Sequence, residues 1–282
     1  MKKLMIVLVL MIAAFGCKKA FTPSLLNNNE HYLVIEGNID GADSTFIRLS
    51  RTKNVDTLKT IVPELGAMLT IESSNNETIS FTVKKPGIYV APPFNIDASL
   101  KYRLRIKTSD SKEYISDYVP VKNAPAIDSV GFTANDRSVG VYINTHDNDN
   151  ITRYYRWEFT ETWQFHTPYI SAWLAPKTPR PVSQQIHECF ANDTSSSVII
   201  GTTVKLANDI VFQSPITKIA SNSEKIETKY SILVKQYALT ADAYAFWQNL
   251  QNNTENLGSI FSVLPSQART NFHCVSNANE IV

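Results

Sequence analysis

The sequence predicts a mainly β protein made of two consecutive immunoglobulin-like or fibronectin-like β-sandwich modules, the second with one inserted amphipathic helix. From His31 onward, short segments alternate apolar and polar residues, turn-forming residues separate them, and only one segment has helical spacing. A strand with one buried and one solvated face requires such alternation. Many short strands separated by frequent turns are typical of sandwiches.

The clearest strand is the segment 100–107, where apolar residues alternate with basic ones. The segment 113–121 alternates in the same way and is its expected partner. The segments 67–72 and 78–83 flank a Ser-Ser-Asn-Asn turn and are expected to form a hairpin. Further strands of the first module are predicted at 31–36, 45–50 and 88–90.

The best candidate for a module boundary is the Asn-Ala-Pro-Ala segment 123–126. Strands of the second module are predicted at 127–134, 138–145, 153–165, 198–206 and 228–237. The segment 167–183 contains four prolines and no period, so a surface loop is expected there. The predicted division of the chain is a leader at 1–16, a tether at 17–29, a first sandwich at 30–123 and a second β-rich domain at 124–282.

The densest aromatic stretch lies within the strand 153–165. Its apolar face consists of Tyr155, Trp157, Phe159, Trp163 and Phe165. These rings can fill a core between two sheets, or they can stack on sugars and anchor a partner. Trp163 and Trp173 flank the irregular loop, so we expect these two to be exposed, and they are the candidate binding residues.

Glu161 interrupts this aromatic face. A carboxylate on an apolar face can act as a general acid. The more ordinary interpretation is that a β-bulge turns the side chain outward.

One helix is predicted near 241–257. Thr240 can cap it, and a single apolar stripe follows from Ala243 to Leu250. Gly258 is the residue expected to stop it.

The first seventeen residues have the pattern of a secretory leader. Lys2 and Lys3 precede an uncharged apolar run that is too short for a membrane span. The run ends in Ala-Phe-Gly-Cys, which resembles a bacterial lipobox with Ala14 in place of the usual leucine. We therefore expect cleavage before Cys17 and lipidation of that residue. An ordinary signal peptide with a nearby cysteine is the alternative.

Charge and cysteine content narrow the class of protein. Cleavage before Cys17 leaves 25 basic and 26 acidic side chains, so no excess charge favours nucleic acid as a partner. Membrane attachment is then expected through acyl chains. Cys189 and Cys274 remain as an even pair in an oxidising compartment, where they can form a disulfide or stay as two buried thiols.

No sequence motif indicates a catalytic, metal or cofactor site. Phosphate-binding loops, paired Cys-x-x-Cys motifs and the Gly-x-Ser-x-Gly elbow are missing from the sequence. The acidic segment 146–150 offers oxygens suited to calcium, but it lacks the glycine and the late glutamate of a dedicated loop. We interpret it as a turn, and we expect no catalytic residue, metal or cofactor.

Nearly the whole mature chain resembles the domain of unknown function 4249 family, most specifically in its C-terminal part. The resemblance is carried by the segments 229–240, 243–247, 257–261, 272–274 and 277–280, and upstream by 33–37 and 125–130. It implies an envelope lipoprotein of Bacteroidota-type bacteria, often encoded beside TonB-dependent outer-membrane receptors, with no established activity. Relatives usually continue with one more apolar strand, so we expect an uncovered edge where this chain stops at Val282.

Three functions follow from these observations. The first is a non-catalytic accessory or binding lipoprotein working with an outer-membrane TonB-dependent transporter or with envelope glycans. The second is an envelope hydrolase acting on glycan or peptide, which needs paired carboxylates or a histidine beside a nucleophile. The third is a structural or assembly role. Lys18 and Lys19 lack the acidic neighbours associated with surface export, which favours the periplasmic face of the outer membrane.

Overall fold

The mainly β prediction is confirmed by the computed structural model, which describes residues 31–41, 43–53, 61–255 and 270–277. The predicted leader, the tether, Cys17 and the stop at Gly258 lie outside the described residues. The strands of the first half of the chain are β1 Leu33–Gly37, β2 Thr45–Arg51, β3 Val62–Pro63, β4 Met68–Ser73, β5 Thr78–Ser80, β6 Thr82–Lys85, β7 Ile88–Ala91, β8 Lys101–Lys107, β9 Glu113–Ser116 and β10 Val119–Pro120.

Strands β1 to β10 form the first sandwich. One sheet has the order β1-β2-β7-β6 with β3 paired to β2, and the other runs β9-β8-β4-β5 with β10 paired to β8. Both sheets contribute alternate side chains to one buried cluster. Its fully buried members are Leu49, Ile71, Ala91, Ile106 and Tyr114.

The predicted hairpin at 67–83 is present, but its second strand changes sheet. β5 pairs with β4 in one sheet, whereas β6 pairs with β7 in the other. Phe81 lies between them, packs against the core and donates its backbone N–H to the Leu69 carbonyl at 3.1 Å. The chain thus passes from one sheet to the other at an apolar residue that packs against the core.

The second sandwich consists of two further antiparallel sheets. One has the order β11-β12-β18, and in the other β13 pairs with β16, β17 and β19. Its core contains Ile143, Tyr155, Trp157 and Ile216. The strands are β11 Ile127–Asn135, β12 Ser138–His146, β13 Tyr154–His166, β16 Glu188–Thr194, β17 Ile199–Thr202, β18 Ile210–Ala220 and β19 Lys229–Ala238, with a short hairpin of β14 Trp173–Leu174 and β15 Thr178–Pro179.

The last described strand, β20 Phe272–Cys274, belongs to the first sandwich. It pairs antiparallel with β9, and the Val275 N–H extends the ladder to the Glu113 carbonyl at 2.7 Å. The predicted division assigned everything after residue 123 to the second domain. The structure differs because this strand returns to the open side of β9.

The predicted bridge between Cys189 and Cys274 is not formed in the structure. Cys274 is buried in the core of the first sandwich, where it lies opposite Tyr114. Cys189 lies on β16 of the second sandwich, opposite Phe165. The two residues belong to sheets of different sandwiches, an arrangement that the even cysteine count could not indicate.

The single α-helix of the described residues, α1, spans Ala241–Thr254. The predicted cap is confirmed, since the Thr240 side chain accepts a hydrogen bond from the Ala243 N–H at 3.2 Å. Asp242 adds a negative charge to the first turn, where it complements the helix dipole. Within the described ranges, no helix has both the length and the apolar character needed to cross a membrane.

The Thr240 cap is expected to stabilise α1 and, with it, the folded chain. Thr240→Ala should lower the free energy of unfolding by about 1 kcal/mol, because the Ala243 N–H loses its side-chain acceptor. Thr240→Ser should keep most of the stability, since serine caps as well as threonine does. Denaturant titration followed by circular dichroism measures the difference. Thr254→Ala at the last helical residue is the control, and an equal loss there would contradict a capping role for Thr240.

Candidate functional site

The aromatic face of β13 lies inside the second sandwich. Tyr155 and Trp157 are fully buried and their rings stack at 5.7 Å. Phe159 packs against the same cluster. The core-filling interpretation is therefore correct for this face.

The expectation that Trp163 is exposed is wrong. Its side chain is 7% exposed, because it follows the same two-residue alternation as Trp157 and points to the same face of β13. Its indole Nε1 is buried and has no hydrogen-bond partner. Trp163 therefore cannot contact a ligand at the surface.

Glu161 is also buried, at 3% exposure, and no bulge turns it outward. The register of β13 is unbroken on both sides of it, towards β16 and towards β19. Its Oε1 accepts a hydrogen bond from Lys225 Nζ, and its Oε2 accepts one from the Tyr230 hydroxyl at 2.8 Å. Lys225 reaches it from a short 3-10 turn at Glu224–Ile226.

The same ammonium group contacts two further side chains. Lys225 Nζ lies 4.8 Å from the centre of the Trp163 ring and 3.9 Å from Asp193 Oδ2. Burial, together with the neighbouring Glu161 carboxylate, raises the pKa of Tyr230 well above its usual range. We call Glu161, Lys225, Tyr230 and Trp163 the buried ionic cluster.

The buried ionic cluster does not resemble a catalytic pair. Both oxygens of Glu161 accept hydrogen bonds from within the protein, and the side chain is shielded from solvent. Glu158 points to the opposite face of β13, where it accepts hydrogen bonds from Arg156 and from Tyr237. Glu158 and Glu161 therefore cannot face a common substrate as general acid and base.

A second polar cluster joins the two sheets near the chain's entry into the second sandwich. Trp157 Nε1 donates to Gln236 Oε1 at 2.8 Å. Gln236 Nε2 donates to the Pro125 carbonyl at 2.8 Å and to Thr145 Oγ1 at 3.1 Å. One amide thus satisfies a buried indole and also holds the linker segment against the sheet.

The acidic segment 146–150 forms a turn around Asp147. Its carboxylate accepts hydrogen bonds from the backbone N–H groups of Asp149, Ile151 and Thr152. Although desolvation opposes ionisation, these N–H groups lower the pKa of Asp147 below its usual value. The Asp147 oxygens therefore serve the backbone of the turn. Within the described ranges, no group of three or more His, Cys, Asp or Glu residues is placed to hold a metal.

The loop predicted at 167–183 is a partly ordered excursion between β13 and β16. We call residues 167–187 the excursion. Arg180 organises it: its guanidinium donates to Ser171 Oγ at 3.2 Å and to the Gln184 carbonyl at 2.9 Å, and its backbone N–H donates to the Ala172 carbonyl. These contacts hold the β14–β15 hairpin and a 3-10 turn at Val182–Gln184 together.

The excursion exposes several large apolar side chains. Trp173 is 62% exposed, which agrees with its selection as a binding candidate. Tyr169 and Val182 are the two most exposed large hydrophobic residues in the described part of the chain. The excursion contains Lys177 and Arg180 but no acidic residue. The exposed apolar residues of the excursion are Tyr169, Ile170, Trp173, Val182 and Ile186.

Two histidines lie at the base of the excursion, one on each side. The rings of His166 and His187 are 4.9 Å apart. His166 Nδ1 lies 3.4 Å from Glu227 Oε1, and His187 Nδ1 lies 3.3 Å from Thr167 Oγ1. The sequence places these histidines 21 positions apart and gives no sign that they meet, because only the pairing of β13 with β16 brings them together.

The partners of Glu161 were also missed by the sequence analysis. Lys225 and Tyr230 follow β18, a strand that was not predicted. Gln236 and Tyr230 do lie in the segment 229–240 that carries the family resemblance, and that is the one signal that singled them out. Their contacts show that this segment contributes buried polar groups to the interior.

Comparison with known proteins agrees with the resemblance drawn from the C-terminal segments. No curated protein shows significant similarity to the sequence. A family model described as domain of unknown function (DUF4249) matches residues 18–282. Since the match spans nearly the whole chain, the protein belongs to the DUF4249 family.

Proposed function

We propose that this chain is a non-catalytic, lipid-anchored binding protein of the cell envelope, located on the periplasmic face of the outer membrane. In this proposal the excursion contacts the partner, a TonB-dependent outer-membrane transporter or an envelope glycan. Cys17 carries the lipid, and the tether at 17–29 connects it to the first sandwich. The family match begins at residue 18, after the predicted leader and the cysteine.

The exposed Trp173 is the observation that carries the proposal. The three other tryptophans, at 157, 163 and 247, are buried or half-buried, so Trp173 is the one tryptophan with an exposed side chain. Tryptophans surrounded by apolar and basic side chains are enriched at binding surfaces. Internal hydrogen bonds from Arg180 hold the hairpin in place, which lowers the ordering cost of binding.

The envelope-hydrolase alternative finds less support in the side-chain geometry. The best carboxylate candidates, Glu158 and Glu161, lie on opposite faces of β13 and are bound by neighbouring side chains. The side-chain neighbours of the histidine pair are Glu227 and the hydroxyls of Thr167 and Thr228, rather than a serine or a cysteine. A structural role predicts no surface of particular importance, so loss of binding on changing Trp173 separates it from the binding proposal.

The test is affinity purification of the tagged full chain from native membranes, followed by mass spectrometry. Trp173→Ala combined with Tyr169→Ala should reduce recovery of the transporter at least about tenfold, because central aromatic anchors dominate binding. Phe212→Ala, which truncates an exposed aromatic residue elsewhere on the second sandwich, should leave recovery unchanged. Cys17→Ala should move the protein to the soluble fraction.

Glycan binding is measured in parallel with purified peptidoglycan and with lipopolysaccharide. A transporter or a glycan retained by the parent chain and lost only in the Trp173/Tyr169 variant would support the excursion as the binding surface. Equal recovery from all variants, or a soluble parent chain with unmodified Cys17, would overturn the proposal.

A further inference from the structure

Strand β11 forms an open edge of the second sandwich. In the described part of the chain it pairs only with β12, so its other side carries unpaired backbone N–H and C=O groups. It is nine residues long, contains no proline, and has Asp128 as its only charged residue. Such an edge is a template for pairing with another strand.

Several other edge strands carry residues that oppose pairing with a further strand. β18, the opposite edge of the same sheet, has an internal proline and two shifts of register. The edges β6 and β19 carry lysines, and β16 carries acidic residues, as charged edges commonly do. These blocking residues are Pro215, Lys84, Lys85, Lys229, Lys235, Glu188 and Asp193. Among the described edge strands of seven or more residues, β11 alone has no proline and a single charged residue, and its one register shift lies at its start, between Ile127 and Ser129.

Strand β11 also exposes apolar side chains on the face that forms the core elsewhere. Val130 lies opposite Ile143 and Phe132 opposite Val141, so each pair points to the same face of the sheet. Ile143 and Val141 are buried, whereas Phe132 is 70% exposed and Val130 is also exposed. The apolar face thus continues beyond the region that the facing sheet covers.

The opposite face of the strand is apolar at its centre. A Cβ atom at Gly131 would lie 2.6 Å from Cζ of Tyr142, so the Tyr142 ring lies directly over this glycine. A strand added beside β11 would therefore meet apolar groups on both faces: Val130 and Phe132 on one, and Tyr142 on the other.

We propose that β11 pairs antiparallel with β11 of a second copy of this chain, forming a continuous six-stranded sheet across a two-fold axis. In an antiparallel pair, directly opposed residues point to the same face of the sheet. For two identical strands this requires the two-fold axis to pass through a residue, because an axis between two residues would oppose residues that point to different faces. Through Gly131, it places Val130 opposite the partner's Phe132, and Phe132 opposite the partner's Val130. The exposed apolar side chains then cover one another.

Apolar contact selects this register over its two neighbours. With the axis at Val130, Phe132 would lie beside the partner's Asp128, where β11 has a register shift. With the axis at Phe132, Val130 would face the partner's Ala134, and less apolar surface would be covered. Only the axis at Gly131 places both exposed large apolar side chains of one copy opposite those of the other, which favours a second copy over an unrelated strand.

The first test is analytical ultracentrifugation of residues 18–282 over a concentration series. The parent chain should show a monomer–dimer equilibrium, and Phe132→Lys should weaken it at least about tenfold, because the charge would lie inside the new interface. Phe212→Lys is the matched control: it places the same charge at an equally exposed phenylalanine of the same sheet, on β18. Thermal unfolding of each variant verifies that folding is intact.

The second test determines the register in intact cells with the full chain. Ser129→Cys with Thr133→Cys, in a Cys189→Ala background, should give an intermolecular disulfide, because these positions are opposed only when the axis passes through Gly131. Each single variant should cross-link poorly. A parent chain that stays monomeric, an equal effect of Phe212→Lys, or cross-linking by the single variants alone would overturn the proposal.

Discussion

Replacing Lys225 by methionine is expected to lower the free energy of unfolding by about 2 to 4 kcal/mol. The change leaves the buried Glu161 carboxylate with the Tyr230 hydroxyl as its remaining side-chain donor. A buried charge without its counter-ion is strongly destabilising, while the partial exposure of Lys225 keeps the loss below the upper end of the range for fully buried pairs. Denaturant unfolding followed by tryptophan fluorescence and by circular dichroism measures it.

A double variant separates the lost ion pair from lost packing. Glu161→Gln with Lys225→Met removes both charges and keeps a side-chain acceptor for the Tyr230 hydroxyl, so it should recover at least half of the loss. Arg48→Met is the control, because its ion pair with Glu36 is exposed and 3.8 Å long and should contribute less than about 1 kcal/mol. A Lys225→Met variant no less stable than Arg48→Met would contradict this account.

The strand pattern was predictable wherever one face is buried and the other is solvated. β8 and β13 alternate as the sequence indicates, because each faces a core on one side only. β18 was missed, since Gln213, Ser214 and Pro215 interrupt its alternation at the point where its register shifts. β20 was missed because three residues carry no period, and its pairing with β9 depends on a return across the whole second sandwich.

The contacts within the buried ionic cluster could not be predicted from the sequence. The alternation of β13 places Glu161 on the inner face, but general acid catalysis and an outward bulge were the only interpretations considered. The correct one needs Lys225, which lies 64 positions away and reaches Glu161 from a short turn that has no sequence signature. A single sequence does not reveal such long-range pairing.

The two tryptophan candidates differ for a reason already present in the sequence. Trp163 falls on the apolar positions of a regular strand, and that alternation predicts burial. Trp173 lies among four prolines where no alternation exists, so no sheet face was available to cover it. For Trp163, proximity to the irregular segment suggested exposure, whereas its position in the two-residue alternation of β13 correctly indicated burial.

Gln236→Leu is expected to lower the free energy of unfolding by about 2 to 3 kcal/mol. The variant keeps a side chain of similar size but leaves the buried Trp157 indole N–H without its acceptor, and a buried donor without a partner costs about 1 to 3 kcal/mol. It also removes the two hydrogen bonds that the amide donates to Pro125 and Thr145. Chemical denaturation of the purified chain measures the loss.

The same substitution should loosen the linker, because the Gln236 amide holds the Pro125 carbonyl against the second sandwich. We therefore expect faster limited proteolysis between residues 121 and 126 in Gln236→Leu than in the parent chain. Lys235→Ala, an exposed neighbour on the same strand, should change neither stability nor cleavage rate. If Gln236→Leu unfolds like the parent chain and is cleaved at the same rate, the amide does not join the linker to the core, since loss of a half-buried side chain with three hydrogen bonds must appear in at least one of these measurements.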